Sequence, residues 1–402
     1  MKSLNKFSNL KNLSLKELIY NNEVRALFIQ VATVVIIVGL FYVMIQNLYE
    51  NIEARGIVTG FSFLSGRSGF DILPFLGSYI VKFSPNSTNL EVFYVAIINT
   101  FVCAGVGIVL STILGLLIGI ARLSTNYLIS RLANAYIELF RNIPILLQIL
   151  FWYNIFLNAL PHPKKSMSFF DLIFINNRGF YLPNPQPQEG FLWVFIAFVV
   201  GVASAIYLKR HFKRKQDETG LQTNTLGYTL GLIILLPIVV YLALGSPLQF
   251  DYAILGKFNL KGGLAVVPEF VALTLALSVY TATYIAEAIR SGIEAVDKGQ
   301  KEAASAIGLT KTQSLKLVVL PQALRVAIPP TINQYLNLTK NSSLAAAIGY
   351  PELMSAFGGT VLNQVGQAIE ILTMVMLVYL VISLVISVLL NYVNKKMAIQ
   401  GR

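Results

Sequence analysis

The chain has 402 residues, of which 55% are hydrophobic and 12% are charged, and its formal net charge is +12. A soluble domain carries roughly 25% charged residues, so the composition excludes an ordinary soluble protein and favours an integral membrane protein. The basic excess has two interpretations, a nucleic-acid-binding patch or a signal of membrane topology.

Eight apolar segments are long enough for a bilayer core of about 30 Å, which takes about 20 residues to cross. Six contain no Asp, Glu, Lys or Arg: 26–45, 92–121, 142–160, 190–208, 221–250 and 371–394. Two others, 268–289 and 326–349, are less uniform. We therefore predict an all-α integral membrane protein with about eight transmembrane helices. The first segment exceeds the apolar part of a signal peptide, about 7–15 residues, and is predicted to remain as an anchor.

The basic residues predict the orientation. With the N-terminus inside, 22 of the 31 Lys and Arg residues fall on one side of the membrane. Because Lys and Arg in short loops favour the cytoplasmic side, both termini are predicted to be cytoplasmic. The net positive charge then mainly reflects the orientation of the chain in the membrane, and no nucleic-acid partner is expected.

Two segments are predicted to lie on the outer side. Residues 46–91 are rich in Gly, Ser and Asn, and residues 161–189 contain "PHPKK" and "YLPNPQPQ", which are typical of irregular loops. The fourth and fifth spans carry almost no polar residues and are interpreted as lipid-facing additions. Cys103, the single cysteine, is interpreted as a packing residue. His162 and His211 have no partner at metal-ligand spacing, so no metal site is predicted.

Small and polar residues mark the second and third spans. Four small residues of the second span are spaced four apart: Gly107, Ser111, Gly115 and Gly119. This spacing lets helices approach closely in lipid, which indicates either ordinary packing or a surface that slides between conformations. The third span places Arg141 at the inner boundary, Pro144 near the first turn and Gln148 one turn deeper.

The sixth and seventh spans carry groups that hydrocarbon does not tolerate. Glu287 and Arg290 share a helical face and form either an ion pair at the inner interface or a gate. The seventh span is rich in polar residues and prolines: Pro329, Pro330, Asn333, Gln334, Asn337, Lys340, Asn341, Ser342 and Ser343. The prolines are predicted to interrupt the helix, and the segment to line an aqueous path or an internal interface. Lys340 is either a partner for an anionic group such as a carboxylate or a structural cation.

A polar stretch before the seventh span predicts two short helices in water. Residues 294–307 favour a helix, and Gly308 suits a C-terminal cap that needs a positive φ. Thr310 and Gln313 fit a capping box that begins a second helix. Pro321 is predicted to limit that helix. Two alanines, Ala303 and Ala304, give the first helix a low profile that another protein could approach closely.

The spacing of this stretch resembles a known motif. Glu302-Ala303-Ala304, Gly308 and Val318-x-Leu320-Pro321 resemble the EAA motif of ABC-importer membrane subunits, in which Ile is more frequent at the position of Val318. The flanking sequences and "RNIPILLQ" resemble the polar amino-acid permease branch, and the resemblance covers about 92–393. The first span and the 161–265 insertion resemble general L-amino-acid and glutamate/glutamine/aspartate/asparagine permease subunits.

The resemblance implies a type I ABC importer permease core in the bacterial cytoplasmic (inner) membrane. The motif would dock on a separate ATPase subunit that binds ATP and Mg²⁺, so no cofactor is expected on this chain and it is not expected to be an enzyme. The sequence agrees, because it contains no G-x-x-x-x-G-K-[ST] motif. The expected partners are ABC ATPase subunits, a second permease subunit (a heterodimer is favoured), a periplasmic substrate-binding protein, an amino-acid substrate and lipid.

Three groups of candidate site residues follow. The ATPase-coupling candidates are Glu302, Ala303, Ala304, Gly308, Leu320 and Pro321, with Glu302 expected to form a cap or to pair with Arg325 or an ATPase residue. The path candidates, chosen by polarity and position, are Gln148, Asn333, Asn337, Lys340 and Ser343. The gate or transmission candidates are Arg141, Glu287 and Arg290.

The predicted organisation has three parts and one insertion. A tail, first helix and outer loop (1–91) precede a permease core (92–393), which contains the 161–265 insertion and coupling helices at 294–321, and a short tail (394–402) follows. The alternative function is an ion-coupled secondary transporter, which would have broken, polar spans. That class usually repeats such spans in both halves, and the seventh span has no counterpart in the N-terminal half. A membrane enzyme is not favoured, since no paired carboxylates or activated nucleophile stand out.

Overall fold

The computed structural model describes residues 22–54, 56, 58–73, 75–220, 225–256 and 260–397. It is about 75% helical. The α-helices are α1 (Asn22–Ala54), α2 (Leu76–Val81), α3 (Asn89–Arg122), α4 (Tyr127–Asn142), α5 (Ile145–Asn158), α6 (Phe191–Thr219), α7 (Leu226–Ala243), α8 (Pro268–Glu294), α9 (Lys298–Ala306), α10 (Lys311–Ser314), α11 (Leu320–Asn341), α12 (Leu362–Val365) and α13 (Ala368–Met397). The basic residues predicted for the N-terminal tail, Arg25 excepted, lie outside the described residues.

The predicted membrane helices are confirmed. In the described ranges, seven helices are long and apolar enough to cross a membrane, or eight if α4 and α5 count as one bent span. The third span, predicted at 142–160, corresponds to α5, and the sequence did not predict α4, which precedes α5 and meets it at 102°. Pro144 is the N-cap of α5 and has no N–H to continue the hydrogen bonding of α4, so the chain turns there.

The chain divides into two units. One comprises Met1–Ser62 and Val365–Glu370, and the other comprises Phe63–Gln364 and Ile371–Arg402. In the first unit, none of the most apolar 18-residue window of α1 is buried, which suits a helix surrounded by lipid. The Gly60 amide of this unit donates a hydrogen bond of 2.6 Å to the Glu370 carboxylate.

Helix α8 is the centre of the second unit. Its most apolar window is 72% buried, against at most 28% in the other spans. It packs against α3, α4, α5 and α11. A helix that is enclosed on most sides needs apolar or small side chains on every face. The buried positions of α8 meet this requirement, mainly with Ala, Leu, Ser and Thr.

The small residues of α3 allow α8 to lie directly against it. A Cβ added to Gly115 would stand 2.6 Å from Cβ of Ile285, and one added to Gly119 would stand 3.1 Å from the Ala286 carbonyl oxygen. Gly107 meets Leu338 of α11 in the same way, at 3.1 Å. The predicted close helix approach is therefore confirmed, and it fixes α3 against the two helices that carry most of the polar groups described below.

Residues 161–189 contain strands, contrary to the predicted irregular loop, and further strands lie between α7 and α8. The strands are β1 (Met167–Phe169), β2 (Ile173–Asn176), β3 (Gly179–Leu182), β4 (Asn184–Pro187), β5 (Leu248–Asp251), β6 (Ile254–Leu255), β7 (Leu260–Lys261) and β8 (Leu264–Val266). One antiparallel sheet has the order β1-β2-β3-β8, and two further pairs are β4-β5 and β6-β7. Strands β1, β2 and β3 pair locally, and the two ends of the insertion also pair with each other, as Phe180 does with Val266.

Helices α6 and α7 form a hairpin between these strands. Gly201 of α6 lies so close to α7 that an added Cβ would stand 2.5 Å from the Leu232 carbonyl oxygen. None of the α7 side chains is buried. This exposure agrees with the interpretation of the fourth and fifth spans as lipid-facing additions.

A buried polar cluster joins α3 to the segment that follows α11. That segment continues as a 3-10 turn (Ser342–Ile348) and a π-helical turn (Leu353–Val361). Asn99 of α3 donates to the Pro351 carbonyl at 2.9 Å and accepts from the Gly77 amide at 3.0 Å. Glu352 is fully buried and accepts from the amides of Met354 and Ser355 and from the Tyr379 hydroxyl.

Glu352 predicts a pH dependence of stability. Burial raises the pKa of its carboxyl from 4.5 to about 7. Between these two values the folded protein keeps a proton that the unfolded chain has lost, so stability increases as pH falls from about 7 towards 4.5 and is lost as pH rises through the folded pKa. We expect the unfolding free energy in detergent to be roughly 2 kcal/mol larger at pH 5.5 than at pH 8, and the thermal midpoint to be correspondingly higher at pH 5.5.

The Glu352→Gln variant is the control for this prediction, because it keeps the size of the side chain and cannot titrate. Its midpoint should change less than that of the native protein across the same pH range. An identical pH dependence in both proteins would show that Glu352 does not titrate in this range.

Candidate functional site

The α9–α10 hairpin, residues 297–314, is built by local signals. The Asp297 side chain accepts from the Gly299 amide at 2.6 Å and caps the start of α9. At its end, the Gly308 amide donates to the Ser305 carbonyl at 3.0 Å and the Leu309 amide to the Ala304 carbonyl at 3.1 Å. These two bonds form a Schellman motif. It requires the φ of +80° that Gly308 adopts, as predicted.

The second arm of the hairpin begins as predicted and continues further than predicted. The Thr310 hydroxyl accepts from the Gln313 amide, and the Gln313 side chain accepts from the Thr310 amide, so the capping box is confirmed. Pro321 does not end the helix, because it lies in the first turn of α11, where a missing N–H costs little. A π-helical turn, Leu315–Val319, connects α10 to α11.

The predicted first helix is shorter than expected. Helix α8 ends at Glu294, three residues intervene, and α9 then begins at Lys298. Asp297 explains the break, because a side chain that caps α9 holds its own backbone outside the helix.

The residues of the hairpin differ in exposure. Ala303 is exposed, whereas Ala304 is 3% exposed, so Ala303 alone of the two presents a surface to another protein. Glu302 is also exposed. Within the described part of the chain, no ion pair joins Glu302 to Arg325, so the pairing considered for these two residues is not present.

An ion cluster closes the adjoining ends of α3 and α8. Glu287 pairs with Arg122 of α3 and with Arg290, and Arg290 also pairs with Glu294. The predicted Glu287–Arg290 pair is therefore present. Arg122 was not singled out from the sequence, although it lies in the last turn of the second span, at the depth expected for a partner of Glu287. The side chains of Arg122 and Glu287 are 23% and 28% exposed, so water screens the pair only in part.

Coupling between Arg122 and Glu287 is open to measurement. We expect Arg122→Gln and Glu287→Gln each to lower the thermal midpoint, because each removes the partly buried ion pair between α3 and α8. The double variant should lose less unfolding free energy than the two single variants together, with an interaction free energy of about 1 kcal/mol. Strictly additive losses would show that the two side chains do not interact in solution.

A polar cavity of about 230 Å³ lies between α8 and α11. Its lining consists of polar side chains: Tyr280, Thr281, Tyr284, Gln334, Asn337, Lys340 and Asn341. The Tyr280 and Tyr284 hydroxyl groups are 2.9 Å apart, and the Arg141 guanidinium lies over the Tyr284 ring, 5.0 Å from its centroid. The cavity therefore offers hydroxyl, amide and cationic groups in one place.

Two of the five path candidates, Asn337 and Lys340, line this cavity. Asn333 is exposed and lies outside the lining, and the Ser343 hydroxyl donates to the Lys340 carbonyl at 2.8 Å. Gln148 is 3% exposed and donates to the Phe140 and Ile143 carbonyls at 2.8 and 2.9 Å. Gln148 therefore lies outside the cavity lining, and its side chain binds the carbonyls left free where α4 bends into α5.

The structure also adds residues that sequence reasoning missed. Tyr280 and Tyr284 lie four residues apart on one face of α8, with Thr281 beside them, and the four-residue spacing was the available signal. Their position one turn from Glu287 would have marked the same face. Tyrosines in an apolar span are typical of core or interface positions as well, so the sequence did not distinguish them.

Helix α11 runs through both prolines, which corrects the predicted interruption of the seventh span. Pro329 and Pro330 lie inside the helix Leu320–Asn341. The Thr331 hydroxyl, just after the prolines, donates to the Ala327 carbonyl at 2.8 Å. The hairpin and the cavity are therefore joined by consecutive helical residues.

The chain was compared with known proteins. A family model described as "Binding-protein-dependent transport system inner membrane component" matches residues 197–399. The amino-acid ABC transporter permease protein YhdX of Escherichia coli is 47% identical over 382 residues, which cover 95% of this chain and 96% of that protein. The general L-amino acid transport system permease protein AapQ of Rhizobium johnstonii is 46% identical over 389 residues, with 97% and 96% covered.

A third relative is the glutamate/glutamine/aspartate/asparagine transport system permease protein BztB of Rhodobacter capsulatus, 38% identical over 419 residues, with 96% of this chain and 97% of that protein covered. These matches extend over nearly the whole chain, including the first helix and the insertion. They favour no ion-coupled transporter, and the EAA pattern of the hairpin is typical of the matched family. The chain therefore belongs to the family of binding-protein-dependent transport system inner membrane components and is an amino-acid ABC transporter permease.

Proposed function

We propose that this permease forms one half of the translocation path and couples it to a separate ATPase through the α9–α10 hairpin. The observation that carries this proposal is the continuity of helical structure from Lys311 to Asn341. At 1.5 Å per residue this segment is about 46 Å long. A displacement of the hairpin on the water side would thus move Asn337 and Lys340 at the polar cavity.

The ion cluster at the ends of α3 and α8 supports a role in transmission. Glu287, Arg290 and Arg122 tie α3 to α8 within the last turns before α9 begins. Arg141, over Tyr284, ties α4 to the same face of α8. These contacts would make the helices move together as one body when the hairpin moves.

The hairpin surface supports docking of another protein. Around Gly308 no atom lies within 4 Å of the position of an added Cβ. Leu320 and Pro321 then connect the docked segment to α11. ATP and Mg²⁺ would be held by the ATPase, and this chain would hydrolyse nothing. A substrate-binding protein would deliver the amino acid to the opposite side.

The remaining assignments complete the proposal. Residues 92–393 would form the core, with 161–265 as its insertion and with 1–91 and 394–402 outside it. Both termini would be cytoplasmic in the bacterial inner membrane, with lipid around α1, α6 and α7. The specialised insertion favours a heterodimer with a second, related permease over a pair of identical chains. No nucleic-acid partner is expected.

Cysteine cross-linking tests this proposal. The native Cys103 is fully buried, so it contributes little background. In the assembled transporter, Ala303→Cys should cross-link to the ATPase and resist an impermeant maleimide in intact cells. The matched control, Ser168→Cys, lies on exposed β1 and should show the opposite behaviour on both counts. Outside labelling of Ala303→Cys would contradict both the orientation and the coupling role.

A further inference from the structure

The ionisable side chains that line the polar cavity include no carboxylate. Each of the seven lining side chains has a polar atom, and Lys340 is the one basic residue among them. No Asp or Glu lines the cavity. Lys340 also lies in the last turn of α11, where the helix dipole favours a cation.

Lys340 has no counter-ion in the described part of the chain. The ion pairs there involve Arg122, Glu287, Arg290 and Glu294, and none includes Lys340. A charge in a membrane helix normally pairs with another group or faces a cavity that supplies one. The Lys340 ammonium is therefore complementary to an anionic group that enters the cavity.

A second cation adjoins the same wall. Arg141 lies over the ring of Tyr284, and the Tyr284 hydroxyl contacts that of Tyr280. The nearest carboxylate along α8 is Glu287, one turn away, and it is occupied by Arg122 and Arg290. Glu287 is therefore not free to balance Lys340 and Arg141.

The neutral groups complete the binding chemistry. Gln334, Asn337 and Asn341 provide amides that both donate and accept hydrogen bonds, and the Gln334 carbonyl accepts from the Asn337 amide at 3.4 Å. Amides and hydroxyls pair equally well with a carboxylate or a carboxamide. A cationic side chain would find acceptors here but no carboxylate, and it would be repelled by two like charges.

We propose that this cavity binds amino acids whose side chains are carboxylates or carboxamides and rejects amino acids with cationic side chains. Lys340 pairs with one carboxylate of the substrate, and Arg141, over the Tyr284 ring, places a second positive charge beside the α8 wall of the cavity. This inference rests on the proposed function, because it requires that the cavity belong to the translocation path.

Binding to the assembled transporter without its substrate-binding protein tests the inference, because the binding protein would otherwise impose its own selectivity. The probe is labelled glutamate, with unlabelled glutamine, arginine and lysine as competitors. We expect glutamine to compete and arginine and lysine to bind at least about tenfold more weakly. Lys340→Met should weaken glutamate binding by about tenfold or more, while Lys340→Arg retains it.

Lys213→Met is the matched control, because it removes the same charge from an exposed position near the end of α6. It should bind glutamate like the native complex. If Lys340→Met fails to assemble, Asn337→Leu provides the same readout with no change of charge. Equal affinity for arginine, unchanged glutamate binding in Lys340→Met or Asn337→Leu, or no glutamate binding by the native complex would overturn the inference.

The same preparation separates this inference from the function on which it rests. Uptake is then measured with the binding protein restored. If uptake requires ATP but the competition experiment shows no selectivity, the permease function is supported and only the proposed substrate class is wrong. Uptake that does not require ATP would remove both.

Discussion

Replacement of Gly308 by Asp should abolish uptake and leave the transporter assembled in the membrane. Gly308 has a φ of +80°, which costs an L-residue roughly 1–2 kcal/mol, and Asp tolerates it better than most. That strain is too small to unfold a protein of this size. The added carboxylate would instead project from the hairpin, where no atom of this chain lies within 4 Å, into the surface that is proposed to meet the ATPase.

Two further variants separate the causes. Gly308→Ala introduces backbone strain with little bulk, and Gly308→Asn introduces bulk without charge. We expect uptake to fall least in the alanine variant and most in the aspartate variant, by more than about tenfold in the latter. Assembly should be monitored by co-purification of the ATPase at low salt. Full uptake by Gly308→Asp would contradict the coupling role of the hairpin.

Replacement of Gly115 by Leu should prevent the membrane core from forming. A Cβ alone would stand 2.6 Å from Cβ of Ile285 and 3.1 Å from the Ala282 carbonyl oxygen. Overpacking a well-packed core costs about 1–3 kcal/mol for added methylenes. At Gly115 the obstructing atoms belong to the Ala282 backbone and the branched Ile285 side chain. The loss of unfolding free energy should therefore reach or exceed the upper end of that range.

Gly105 provides a matched control on the same helix. Nothing lies within 4 Å of a Cβ added there, and the position is exposed. Gly105→Leu should therefore elute as a single species from detergent size-exclusion chromatography with a native thermal midpoint, whereas Gly115→Leu should aggregate or unfold at lower temperature. Equal behaviour of the two variants would mean that α3 and α8 do not pack closely at Gly115.

The hairpin was predictable because its signals are local. Gly308 marks a helix end that needs a positive φ, and Thr310 with Gln313 marks the next helix start. Each interaction joins residues at most five apart in the chain. The small residues of α3 were predictable for a similar reason, since spacing along one helix shows which side must lie close to a neighbour.

The pairing of β3 with β8 and the cavity both join residues that are distant in the chain, which is why the sequence did not reveal them. Phe180 pairs with Val266 across an insertion that contains two helices. The cavity brings Tyr284 of α8 together with Lys340 of α11, and the polarity of α11 indicated only one of its walls. Gln148 was assigned to the path because an amide in an apolar segment suggests one, yet it satisfies carbonyls at a bend that the sequence did not predict.

The central claim is that this chain is the permease of an ATP-driven amino-acid importer, moved by a partner ATPase. The most direct measurement is uptake of labelled glutamate and glutamine into proteoliposomes that contain this chain with its ATPase, second permease and substrate-binding protein. We predict uptake that requires both ATP and the binding protein and that persists when ion gradients are collapsed. Uptake that ignores ATP and follows an ion gradient would contradict the account.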